Sequence, residues 1–189
     1  MKNLTTCLCA AALALASFAA NATTFDFSYS FDKNNTGDGN PVVLTGSFTG
    51  TQVGDLISGI SDIQLALNGT AFSGPLQIES FNSSTNNWDA VTAPVMSTDA
   101  TKLNFIIADA DVANNPGAVS NYFFIQGGQA FAVTFNTTDA LSNPLSGFES
   151  TNSAQWSLTA AAVPEPSSYA LMLAGLASIG LLVQRRRSV

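Results

Sequence analysis

The 189-residue chain has no histidine, two cysteines, and charged side chains at only 10% of its positions. Each shortage removes a class of chemistry. Without histidine there is no Ser-His-Asp triad, no Cys-His pair and no imidazole metal site. Both cysteines, Cys7 and Cys9, lie in the N-terminal apolar segment. The stretch after that segment therefore has neither a disulfide staple nor a thiol nucleophile. Cations are scarce and badly distributed. Three of the six stand together at Arg185, Arg186 and Arg187, and one is Lys2. Between Thr23 and Val163 only Lys33 and Lys102 face twelve carboxylates, a net charge of −10 with no arginine. A surface of that sign cannot neutralise phosphates, so nucleic acid is not expected as a partner. P-loop and dinucleotide-binding glycine patterns are also missing.

What is present is Phe, 13 of them, with abundant Gly, Ser, Thr and Asn. This composition suits strands and turns better than helices. Period-two alternation marks several strands. Phe25, Phe27, Tyr29 and Phe31 alternate with Asp26, Ser28 and Ser30. Val43, Thr45, Ser47 and Thr49 point one way, and Leu44 and Phe48 the other. Ile63, Leu65 and Leu67 follow, ending in an Asn68-Gly69 hairpin turn. Leu76 with Ile78 and Phe81, then 103–107, 122–125, Phe131 with Val133 and Phe135, and 155–159 complete the set. Gly, Pro and Asn turns separate them, at Thr36 to Pro41, Ser73-Gly74-Pro75, Asn114 to Gly117 and Gly127-Gly128. About eight short strands predict an all-β domain over residues 23–160, an antiparallel β-sandwich of which the jelly roll is one form. An outer-membrane barrel is the rival, but regular lipid-facing strands and aromatic girdles are not evident.

The two ends read as sorting signals. Lys2 supplies a positive start, Leu4 to Ala20 an apolar stretch, and Ala20-Asn21-Ala22 a small-x-small cleavage pattern. Residues 1–22 are thus expected to be a signal peptide cut after Ala22 by signal peptidase. At the other end, residues 161–189 hold Val163-Pro164-Glu165-Pro166, an apolar stretch and the arginine triplet. A transmembrane helix is expected over 168–184, short for a hydrocarbon core of about 30 Å and completed by flanking residues or local thinning. The arginines would stay on the cytoplasmic side and the body outside. Two prolines hold the backbone extended just before the span. That shape suits recognition by a membrane-embedded protease or transpeptidase, and equally a plain linker.

Val163-Pro164-Glu165-Pro166-Ser167, the apolar span and Arg185-Arg186-Arg187 together resemble the PEP-CTERM sorting signal, in all three parts and in order. The resemblance covers the chain from Val163 onward and implies nothing about the body. It implies that Pro164, Glu165 and Pro166 are the residues recognised by an exosortase in the inner membrane of a Gram-negative bacterium. It further implies an inner-membrane-anchored precursor, then a place on the cell surface or in an exopolysaccharide or biofilm matrix.

For the body, chemistry is thin. Its two glutamates, Glu79 and Glu149, sit in unrelated segments, and no enzyme is expected. No cofactor is called for, Ca²⁺ excepted. Asp109, Asp111 and Asn114 place hard oxygen ligands in one loop, as Ca²⁺ prefers, or they cap turns through their own backbone. Trp88, in a polar stretch, could stack on a ligand such as a sugar ring, whereas Trp156 reads as core. The reading from sequence is a non-catalytic exported surface or matrix protein, with a carbohydrate- or calcium-binding module as the alternative.

Overall fold

The computed structural model describes residues 22–32, 39–90, 93–161 and 175–176. Residues 1–21 of the expected signal peptide and the span expected over 168–184, residues 175–176 apart, lie outside the described residues. Residues 175 and 176 are helical. Among the described residues no helix is long and apolar enough to cross a membrane.

The body is all-β. Strands β1 (Thr23–Phe31), β2 (Val42–Val53), β3 (Leu56–Leu67), β4 (Thr70–Ala71), β7 (Met96–Ser97) and β12 (Trp156–Ala160) make a first sheet of six. Strands β5 (Gln77–Asn82), β6 (Asn87–Asp89), β8 (Phe105–Ala108), β9 (Tyr122–Gln126), β10 (Gln129–Thr138) and β11 (Pro144–Ser150) make a second six. The first runs β12-β1-β2-β3-β4, with β7 on β3, and the second β11-β10-β9-β8-β5-β6. All pairs are antiparallel. Consecutive strands are mostly neighbours in one sheet, so the sandwich consists of two meanders. It lacks the alternation between sheets that a jelly roll requires.

The expected alternation of β1 is realised. Phe25, Phe27, Tyr29 and Phe31 are buried, and Asp26 and Ser30 are exposed. Rings from the two sheets meet across the interior, with Phe27 6.4 Å and Tyr29 6.2 Å from Phe123, and Phe105 6.3 Å from Trp156. Small residues opposite these rings make the fit. A Cβ on Gly46 would stand 2.6 Å from the Phe27 ring, and one on Gly147 2.5 Å from that of Phe31. Ala130 and Ala132 are the buried row of β10. The row that marks this strand in the sequence, Phe131, Val133 and Phe135, lies on the outer side instead, with Phe135 exposed and Val133 covered by its neighbours. Ala suffices inside because large rings from the first sheet already fill the space.

Two tight turns follow from residue type. Asn68 and Gly69 have φ of 46° and 80°, the left-handed pair that a two-residue hairpin needs. The Asn68 carboxamide oxygen also accepts the Val43 N–H at 2.7 Å. Gly127 and Gly128, at 59° and 77°, turn β9 into β10.

Candidate functional site: the strand-bound ends and the outer face of the second sheet

The body's termini are positioned by one ladder. Strand β12 pairs along β1 from Tyr29↔Trp156 to Phe25↔Ala160, and the Ala161 N–H donates to the Thr24 carbonyl at 2.8 Å. Thr23 and Ala160 therefore lie at the same end of adjacent strands, which stand about 5 Å apart in any sheet. Trp156 anchors β12: it is buried, and its indole N–H donates to the Ser97 carbonyl at 3.1 Å. The chain leaves the sheet at Ala161, beside the residue that follows Ala22. Ala22 is described and exposed. Ala20, Pro164, Glu165, Pro166, Arg185, Arg186 and Arg187 lie outside the described residues.

Residues 162–187 match the family model of the PEP-CTERM protein-sorting motif. The chain carries a PEP-CTERM motif. It begins two residues after β12 ends, so the motif abuts the folded body with almost no intervening linker. A PEP-CTERM motif implies export, a membrane-anchored precursor before processing, and exosortase as the processing partner. No curated protein and no solved structure matches the chain.

The loop that joins β8 to β9 holds the predicted calcium ligands Asp109, Asp111 and Asn114, and in the structure both carboxylates accept N–H donors while Asn114 donates. The Asp109 carboxylate accepts Ser120 N–H at 2.9 Å, Asn121 N–H at 3.0 Å and the Asn121 carboxamide at 2.7 Å. Asp111 accepts the backbone and side-chain N–H of Asn114 at 2.8 and 2.9 Å. Those two bonds, the side-chain one first, hold the Asp111 carboxyl below its ordinary range. Among the described residues no three His, Cys, Asp or Glu side chains are grouped as a metal site. Asn121 is fully buried and accepts from the Thr134 hydroxyl at 2.7 Å and the Phe135 N–H at 3.0 Å. Sequence reading passed over Asn121, because an isolated Asn inside an apolar stretch carries no local signal.

Glu79 pins the same loop from below. Its side chain is buried on β5 and accepts Val112 N–H at 2.7 Å and Ala113 N–H at 3.2 Å. Burial pushes its carboxyl up and the charges of Asp111 and Asp89 add to this, against the two amide donors. Glu149, on β11, accepts the Asp32 N–H at 2.9 Å.

Trp88 sits half-buried on β6, edge-on to Phe81 at 5.4 Å and 5.9 Å from Phe124. It opens an aromatic row over the outer face of the second sheet. Phe124 lies 5.8 Å from Phe131, Tyr122 5.4 Å from Phe131, and Phe131 6.0 Å from Phe148. The signal for this row was present in the sequence. Tyr122-Phe123-Phe124 puts aromatic rings on both sides of one strand, which a half-exposed strand does not need.

Proposed function

We propose that this chain is an exported, exosortase-processed protein of the cell surface or exopolysaccharide matrix, and that its β-sandwich has no catalytic activity. The match of residues 162–187 to the sorting motif carries the first half of the reading. The paired β1 and β12 support it, since the end trimmed by signal peptidase and the sorting motif leave one edge of the domain together. Folded chain then reaches to within a few residues of Pro164 in the sequence. Support for the second half comes from the inventory. There is no histidine, and no cysteine after Cys9. Glu79 and Glu149 sit on different strands, each engaged with backbone amides.

Deleting 164–189, or replacing Pro164, Glu165 and Pro166 together by alanine, is expected to abolish cleavage and change where the protein is found. Intact-mass spectrometry of protein from the producing cell reads the cut directly. Unchanged processing and unchanged envelope sorting in both variants would remove the proposal. For the non-catalytic half, reducing ends should not increase when the protein is incubated with polysaccharide. Steady release of new reducing ends would overturn it.

A further inference from the structure

The two outer faces of the sandwich differ in kind. On the first sheet the outward positions include Asp26, Ser28, Thr45, Ser47, Gln64, Ser157 and Thr159, with Val43 and Ala66 as the apolar members, a mainly polar surface of the kind an antiparallel sheet shows to water. On the second sheet the outward positions of β9, β10 and β11 are Tyr122, Phe124, Phe131, Val133, Phe135 and Phe148, with Gln, Ser and Pro at the margins. Phe135 is 61% and Phe148 48% exposed, Tyr122, Phe124 and Phe131 are half-buried, and Val133 is buried beneath them. Two grooves flank Tyr122. One, of about 380 Å³, lies between Trp88, Val112, Pro116 and Phe124. The other, of about 470 Å³, runs along Phe131 and Phe135 to Asn143, Pro144 and Ser146.

Neither groove has a charged side chain among its described lining, although the body as a whole carries −10. That contrast selects the occupant. A polyanion would meet the field of the whole body with no cation to receive it. An uncharged chain meets no such field. A second copy would bring another body of −10 against this one, and that repulsion opposes self-contact. Aromatic rings offer a negative face to the electropositive C–H surface of a sugar ring. The Tyr122 hydroxyl, Asn143 and Ser146 supply donors and acceptors for sugar hydroxyls. Each groove has the size of an ordinary ligand site.

We propose that the outer face of the second sheet, from Trp88 across Tyr122 to Phe135 and Phe148, binds a neutral polysaccharide chain. The proposal goes beyond the sorting reading and does not rest on it, because the face belongs to the body whatever happens after Val163. Trp88 also reports on the site. The chain has two tryptophans, and the other, Trp156, is buried in the core.

The test uses the full chain in lipid nanodiscs, titrated with cellohexaose, neutral galactomannan and, as the anionic arm, polygalacturonate. Tryptophan emission should change saturably with at least one neutral probe and not with polygalacturonate, and Trp88→Phe should abolish the change. Phe135→Ser and Phe148→Ser, at exposed positions that tolerate polar residues, should each weaken binding about tenfold. Thr45→Ala on the opposite face should leave it intact. No response to either neutral probe would overturn the proposal, as would equal binding of polygalacturonate. So would self-association by light scattering that the two serine variants abolish, since a second copy would then be the occupant.

Discussion

At Gly147 a hydrogen stands where any other residue would put a carbon 2.5 Å from the Phe31 ring. Phe31 is itself buried, so the ring cannot swing away into solvent. Gly147→Ala should therefore cost about 1–3 kcal/mol through overpacking, read as a lower urea midpoint with an unchanged slope. Glu79 makes a prediction of a different sort. Its carboxyl titrates above the ordinary value in the folded protein. The stability it contributes is thus fully present below the ordinary carboxylate pKa and is lost as pH rises through the raised value. Glu79→Gln removes that titration at the cost of one acceptor. The melting temperature of the wild type relative to Glu79→Gln should accordingly fall as pH rises from about 4 to 7. A flat difference over that interval would show that the burial of Glu79 carries no electrostatic cost.

Among the elements, β1 was readable residue by residue, because four large rings alternate with polar partners and one face is plainly inward. The long β2–β3 hairpin was readable only in part. Beyond Ser47 the register slips twice, between Ser47 and Thr49 and between Thr49 and Thr51. Gly59 and Asp62 adopt positive φ there, and period two is lost with them. The three-residue β6 was missed because Asn87 and Asp89 read as loop, and only pairing with β5 makes the segment a strand. The outward row of β10 shows the limit of patterning: periodicity identifies the strand but not which of its faces is covered. The β8–β9 loop holds its position through polar contacts that no periodicity reveals. Asn121→Ala would leave the Thr134 O–H and the Phe135 N–H without their acceptor and take one of three N–H donors from the Asp109 carboxylate. A loss of about 2–3 kcal/mol is expected, together with faster amide exchange across 109–121. The sorting motif, by contrast, was readable, since three sequence features in fixed order carry it and the family model matches residues 162–187.

For the whole molecule the governing fact is that the first strand and the last are partners. The body's two ends nearly touch, so joining residue 161 to residue 23 through a short loop and opening the chain at Gly127-Gly128 should preserve the fold. The permutant should melt within a few degrees of the parent; collapse to a molten state would mean that β1 must be synthesised first. The same partnership makes the domain late to close. The outer edge of β1 has no partner until almost the whole body has emerged, and pairing of such high sequence separation is slow.

Tension has a preferred entry point in this arrangement. While the C-terminal segment holds the protein, any drag on the body is delivered to β12 at Ala161, whose bond to Thr24 is the rung farthest from Trp156. The antiparallel ladder would then be loaded one rung at a time, as a zipper is, instead of in shear along its length. The Ala161–Thr24 bond would part first, then Phe25↔Ala160, and Tyr29↔Trp156, backed by the Ser97 carbonyl, would be the catch that stops the peeling.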